Sequence, residues 1–217
     1  MNSIPLTKPH GPGRPKDMEK RAAILEAAKA LFIRNAFAGT SMDAIAAEAG
    51  VSKLTVYSHF GDKDNLFREV IRARIQDLLP EETYQFDSDT DIGEILNRIA
   101  LTHARLDCDP ETVGTFRAIL SDCRQGNPRY GKLMWEEGPM RSRALLERLL
   151  QQAVDAGMLE ITNVSRAATQ FISLIKGDSM MRHMFGCVDC QQAYAREIEE
   201  NARASVTMFL RAYSPSH

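Results

Sequence analysis

The sequence predicts an all-α fold, and three observations lead there. Apolar residues recur at helical spacing, i, i+3/i+4 and i+7, over most of the chain. No alternating apolar–polar run bounded by turn residues competes for a strand. Hydroxyl, carboxylate and glycine residues stand where the periodic segments would start and stop, as helix caps do. With 44% apolar and 26% charged residues in 217, collagen-like, low-complexity and wholly disordered classes are excluded. No apolar stretch reaches the length of a membrane span. Met1 to Lys16 lacks the apolar region of a secretory signal, so a soluble cytoplasmic protein that makes no membrane contact is expected. Four cysteines are too few for a disulfide scaffold.

The elements follow in order. Asp17 is placed to cap a first helix carrying Ile24, Ala27, Ala28, Leu31 and Phe32, which fades at Asn35–Gly39. Thr40 reads as the N-cap of a short helix with Asp43 as its capping-box acid, Met42, Ile45, Ala46 and Ala49 as its stripe and Gly50 as its stop. Ser52 caps a second short helix, Lys53 to Phe60. Gly61-Asp62 ends it and starts a longer one through Leu66, Phe67, Val70, Ile71, Ile75 and Leu78 to Pro80. The acidic, aperiodic stretch Glu81–Asp91 marks the domain boundary. Helices resume through Ile92–Leu106 and Val113–Leu120, break at Asn127-Pro128, and continue with a bend near Gly138-Pro139 to Gly157. Two last helices are expected at Val164–Phe185 and Cys190–Ala212.

Charge is divided unevenly. Residues 1–63 carry a net +3 and the remainder −5, so a polyanion would meet the front of the chain only. That front holds two short helices joined by Ala49-Gly50-Val51-Ser52, a helix-turn-helix arrangement in which the second helix protrudes. Such a helix fits the major groove of B-DNA. Lys53 has the donor for guanine O6/N7, and Leu54 the aliphatic tip for a thymine methyl. Thr55, Tyr57, His59 and Lys63 suit phosphates, which fix register without reading sequence, and Ser52 and Ser58 add hydroxyls to the same DNA-facing side. Backbone N–H groups at Thr40-Ser41-Met42 are placed for another phosphate. The same polar face also suits an ordinary solvated helical hairpin.

The run Leu31-Phe32, Thr40-Ser41-Met42, Ile45-Ala46, Ala49-Gly50-Val51-Ser52-Lys53, Thr55-Val56-Tyr57-Ser58-His59-Phe60 and Lys63 resembles the TetR/AcrR family of bacterial transcriptional regulators over about Asp17 to Leu78. The resemblance implies a three-helix DNA-binding domain over residues 17–79, with Lys53–Phe60 as recognition helix. Leu54 stands where relatives often have a small residue, which bears on base preference. Ahead of this domain, residues 1–16 read as an extended basic arm. Its Arg14 between prolines resembles the core of AT-hook segments and suits an A·T-rich minor groove; a solubilising tail is the alternative.

Residues 80–217 form the second part. Glu136–Arg141, Ala156–Leu159 and Ala167–Gly177 resemble the AefR-like class of TetR regulatory domains, which implies a ligand-sensing, dimerising helical domain. Val164–Phe185 carries apolar residues on several faces, which predicts burial on more than one side. Phe171, Ile175, Tyr194, Ile198, Val206 and Phe209 are therefore expected at a homodimer interface built by the last two helices, with burial inside a single monomer as the alternative. His103, Phe116, Met134, Trp135, Phe171 and Met180 are candidates to line an effector pocket, although aromatic and methionine residues at helical spacing equally suit plain core packing. Two such recognition helices would read a palindromic operator in double-stranded DNA, and an unidentified small molecule would release it. Cys187-Val188-Asp189-Cys190 with His183 offers an alternative, a redox- or metal-responsive regulator of the same fold. Asp189 as N-cap with Gln192 as its partner explains the segment without metal, and no metal or other cofactor is expected. Gly177-Asp178-Ser179 lies in a helical run with no strand before it, and no phosphate-loop or nucleophile-elbow pattern occurs, so no enzymatic activity is expected.

Overall fold

The computed structural model describes residues 14–187 and 191–215, with side chains from 17 to 187 and from 195 to 215. All regular structure among them is helical: α1 (Arg14–Asn35), α2 (Met42–Glu48), α3 (Lys53–Phe60), α4 (Lys63–Leu78), α5 (Ile92–Cys108), α6 (Pro110–Arg124), α7 (Arg129–Trp135), α8 (Arg141–Asp155), α9 (Val164–Lys176), α10 (Ser179–Phe185) and α11 (Gln191–Tyr213). A 3₁₀ turn, Glu81–Tyr84, precedes α5, and a single π turn, Glu136–Met140, joins α7 to α8. The π turn contains Pro139 and falls at the position where a bend is expected. No helix among the described residues is long and apolar enough to cross a membrane.

Three local expectations change. Helix α1 begins at Arg14, so Arg14-Pro15-Lys16 is helical and not an extended arm. Proline is tolerated there because first-turn N–H groups have no helical partner in any case. The Arg14 side chain and Gly11–Gly13 lie outside the described residues. The acidic stretch after Pro80 is partly ordered by burial, since Thr83 and Tyr84 of the 3₁₀ turn face inward. Finally, Val164–Phe185 is two helices, because Gly177 takes φ +48 and the chain turns between α9 and α10.

Two apolar cores result. The first gathers Ile24, Ala28, Leu31, Phe32 and Phe37 against Ile45, Val56, Phe60, Leu66 and Phe67. Phe37 stacks on Phe32 with centroids 4.0 Å apart and meets Phe67 edge-on at 4.4 Å. This core is completed from the second half of the chain, by Ile119 of α6 and Tyr130 and Leu133 of α7. The second core joins α5, α8, α9 and α11 through Ile95, Leu96, Ile99, Leu146, Leu149 and Leu150. Ile75 of α4 packs against both.

The second core corrects the expected dimer interface. Phe171, Ile175, Ile198, Val206 and Phe209 are between 0 and 7% exposed within the single chain. Helix α11 runs along α5 and contacts α9, so the apolar stripes of α9 and α11 are spent on their own subunit. Phe171 and Phe209 meet edge-on at 4.9 Å. The opposite side of α9 carries Ser165, Arg166, Gln170 and Ser173, exposed and polar, so that helix has one buried face only. The Tyr194 side chain lies outside the described residues.

His103 of α5 is buried and shares a hydrogen bond with the Tyr84 hydroxyl. Burial, with a smaller push from Lys176, drives its pKa down to about 3, so it is neutral in the folded protein. The unfolded chain then binds the extra proton between the ordinary histidine value and about 3, and stability falls as pH drops through that window. His103→Gln keeps a hydrogen-bonding group for Tyr84 and is expected to remove that part of the pH dependence. Urea midpoints of both proteins at pH 7 and pH 4.5 check this; equal pH slopes would contradict it.

Candidate nucleic-acid interface

The amino-terminal helices build a protruding edge from capping chemistry. Ser41, not Thr40, caps α2: its hydroxyl accepts from Ala44 N at 3.1 Å with the backbone extended. With Ser41 as N-cap, Asp43 occupies the second helical position and makes no capping box. Gly50 follows at φ +65, a left-handed conformation that suits glycine, and Val51 N closes onto the Ala46 carbonyl at 3.0 Å. Ser52 then caps α3, accepting from Thr55 N at 3.1 Å. Val56 and Phe60 anchor α3 on the first core, which turns its other side outward.

That outward side carries Ser52, Lys53, Leu54, Tyr57 and Ser58, with Thr55 half-buried beside them. Leu54 is 79% exposed, an apolar tip that nothing among the described residues covers. Tyr57 is exposed, and the Lys53 ammonium lies 5.9 Å from its ring centroid. Lys53 pairs with Asp43 of α2 at 2.7 Å, which holds its ammonium across the helix-turn-helix and raises its pKa through that bond and charge. The pairing was unforeseen, although opposite charges on two adjoining short helices signal it. Ser58 donates to the Thr55 carbonyl at 2.8 Å and keeps its oxygen toward solvent. Ser41 and the N–H groups of the first turn of α2 sit alongside, where no helical carbonyl reaches them.

Four expected contacts turn inward. Thr40 is 2% exposed, donates its hydroxyl to the Leu31 and Ala36 carbonyls, and spends its N–H on Phe37 O. The Met42 side chain is buried in the first core. His59 is half-buried and faces Asp17 of α1, Nε2 to Oδ1 at 3.2 Å. Lys63 donates to the Phe37 and Thr40 carbonyls at 2.9 and 2.8 Å and lies over the Phe37 and Tyr130 rings, and burial lowers its pKa. It is a cap for the α1–α2 turn. Lys63→Met is expected to lower stability by about 1–3 kcal/mol through two orphaned carbonyls. The salt dependence of DNA binding should stay unchanged, whereas a phosphate contact would lower that slope by about one.

The α1–α2 turn is gripped from the other half of the chain. Asp122 of α6, 1% exposed, accepts from Phe37 N at 2.7 Å and Ala38 N at 3.4 Å. Arg72 of α4 forms a fork with Glu137 of the π turn, at 2.8 and 2.9 Å.

Between the halves lies a cavity of about 420 Å³. Its walls come from α1 (Lys29), α4 (Val70, Ile71, Arg74, Ile75), α5, α6, α7 with the π turn, α8 and α9. His103, Phe116, Met134 and Trp135 line it. Phe171 does not, being packed on Phe209, and neither does Met180, because the turn at Gly177 takes α10 away from the axis of α9. Asp107 and Arg74, which sequence reading passed over, are part of the wall. Both look like ordinary surface charges in a sequence, so no signal marks them.

The cysteine segment is only partly described. Cys187 is a free, exposed thiol, and His183 directs Nδ1 to the Ser179 carbonyl of its own helix at 3.0 Å. Val188, Asp189 and Cys190 lie outside the described residues, as does the Gln192 side chain. Among the described residues no group of three His, Cys, Asp or Glu converges as metal ligands would.

Residues 24–70 match the family described as bacterial regulatory proteins, tetR family, and residues 94–215 match the AefR-like transcriptional repressor C-terminal domain. The transcriptional repressor SCO4008 of Streptomyces coelicolor is 43% identical over 58 residues, which is 27% of this chain and 30% of that protein. The match to that relative thus spans less than a third of its length. Solved structures match throughout. A TetR-family regulator from Mesorhizobium loti is 29% identical with a TM-score of 0.76, covering 93% of this chain and all of the other. The flavonoid-responsive regulator FrrA is 30% identical with a TM-score of 0.75, covering 92% of this chain and all of its own. These matches span both halves of the chain, including the edge formed by α2 and α3. The chain belongs to the TetR family of bacterial transcriptional regulators, with an AefR-like carboxy-terminal domain.

Proposed function

We propose that this regulator is a homodimeric repressor acting in the bacterial cytoplasm, which holds a palindromic operator through two copies of α3 and lets go when a small molecule fills the inter-domain cavity. One observation carries the reading. Helix α4, which supplies Val70, Ile71, Arg74 and Ile75 to the cavity wall, begins at Lys63, just after the end of α3 at Phe60. A molecule that wedges α4 against the π turn therefore re-aims the recognition helix. It releases DNA only if it binds that re-aimed arrangement more tightly than the DNA-bound one. The name of FrrA records a response to flavonoids, and its likeness over the whole chain favours flat, largely apolar effectors of that kind here.

Lys53 and Leu54 are the base-reading positions in this account, with Ser41, Ser52, Thr55, Tyr57 and Ser58 on phosphates. Protection mapping on source-genome fragments tests it: a two-fold symmetric site with protected major grooves one helical turn apart is expected. No protected site would end the reading.

The dimer contact consistent with this core is the outer face of α9 and α11. Ala204 and Met208, one turn apart on α11, are exposed there, and Leu174 of α9 is half-buried; Asn201 bridges the two helices by donating to the Leu174 carbonyl at 3.1 Å, and Met208 is 58% exposed. Met208→Glu is expected to yield monomers in sedimentation velocity at micromolar concentration with unchanged helicity. A variant that stays dimeric moves the interface elsewhere.

A further inference from the structure

The cavity has a polar end whose bonding is incomplete. Asp107 of α5 is 4% exposed, with Oδ1 at 3.9 Å from the Lys176 ammonium and Oδ2 without any hydrogen-bond partner. Arg74 of α4 gives its terminal nitrogens to Asp109 and Glu111, and its buried Nε also lacks a partner. These are the two orphaned buried side-chain atoms among the described residues, and both residues line the same cavity. Buried polar groups are nearly always satisfied, and each exception calls for a partner. The rest of the wall is largely apolar, with Ile71, Phe116, Met134 and Ile172 among its residues.

We infer that the effector is a neutral, mainly apolar ring molecule carrying a hydroxyl that donates to Asp107 Oδ2 and a carbonyl or ether oxygen that accepts from Arg74 Nε. This rests on the reading of the cavity as the effector site and adds the chemistry of the occupant. Neutrality follows from the charges already balanced there. Lys29 is held by Glu26 and Glu111, Arg74 by Asp109 and Glu111, Arg143 by Glu147, and Lys176 faces Asp107. An anionic ligand would be driven against the Asp107 carboxylate, and a cationic one against Lys176 and Arg74. A hydroxyl satisfies the orphan acceptor without adding net charge to a desolvated site. Burial raises the Asp107 carboxyl above its ordinary value, which agrees with an acceptor lacking the donor that would stabilise it.

The single tryptophan, Trp135, lines the cavity and provides the readout. Full-length protein is titrated with a set of monohydroxyflavones, their methyl ethers and unsubstituted flavone, following Trp135 fluorescence. For at least one ring position the hydroxyl compound is expected to bind about tenfold or more tightly than its ether, the cost of leaving a buried acceptor unmet. In Asp107→Leu that preference should vanish while helicity and operator binding persist, since Asp107 makes no close ion pair and Lys176, 3.9 Å away, is exposed enough to be solvated without it. Equal affinity within every hydroxyl–ether pair, no quenching by any compound, or a preference that survives in Asp107→Leu each overturns the inference. Operator protection by the same samples without flavone is scored separately. A protein that grips its operator but ignores the hydroxyl refutes this ligand chemistry alone, and one that never grips DNA refutes the regulator reading itself.

Discussion

Leu54→Asp is expected to lower operator affinity by about a hundredfold, equivalent to roughly 2.7 kcal/mol, with no change in thermal midpoint. The two halves of that expectation have separate causes. Leu54 is 79% exposed at the outer turn of α3, so it contributes almost nothing to the first core, and a surface change of this kind alters stability by about 0.5 kcal/mol or less. In the groove the new carboxylate would stand among phosphates, and like-charge juxtaposition in a complex costs several kcal/mol. Fluorescence anisotropy with a labelled operator measures the first effect and circular dichroism melting the second. Undiminished binding would mean that α3 does not enter the groove at all.

Asp122→Ala is expected to cost about 2–3 kcal/mol of stability and to sever effector from operator. The carboxylate is buried and takes the Phe37 and Ala38 N–H groups, so its loss leaves at least one donor unmet inside the protein. The coupling follows from where α6 runs. Glu111, Thr112, Thr115 and Phe116 face the cavity at its start, and Asp122 near its end holds the turn into α2. Lys63 grips the same turn from α4. A ligand that shifts α6 and α4 thus moves the helix-turn-helix through two anchors, one of which this variant cuts. Chemical denaturation gives the stability change. Operator affinity with and without a bound hydroxyflavone gives the coupling, expected to shrink toward a ratio of one. An unaltered ratio would leave α4 as sole carrier.

Much of this was readable beforehand where the controlling interactions are local. Ser52 and Gly50 announce the helix-turn-helix because a cap and a left-handed glycine act within four residues of where they stand. The burial of Val56 and Phe60 follows from their spacing alone. Reading failed where the partner is distant. Nothing around Lys63 or Thr40 reveals that Lys63 caps carbonyls 23 and 26 positions earlier, or that the same turn is held by Asp122 85 residues away from Phe37. The apolar stripes of α9 and α11 show that these helices must be covered, yet periodicity cannot say whether the cover is the same chain or another copy. Here α5 and α8 supply it. The Asp107 and Arg74 pair is of the same kind, since a charged residue is conspicuous only once burial has stripped it of water.

The apolar cluster around Phe37 has one further consequence. Because Ile119, Tyr130 and Leu133 complete that cluster from beyond residue 100, while Ile75 is shared with the neighbouring one, a fragment cut after α4 would leave an open greasy wound where Tyr130 had been. Modular engineering by swapping heads between relatives therefore has its natural seam not at the chain position where α4 ends, but along a discontinuous boundary that carries parts of α6 and α7 with the head.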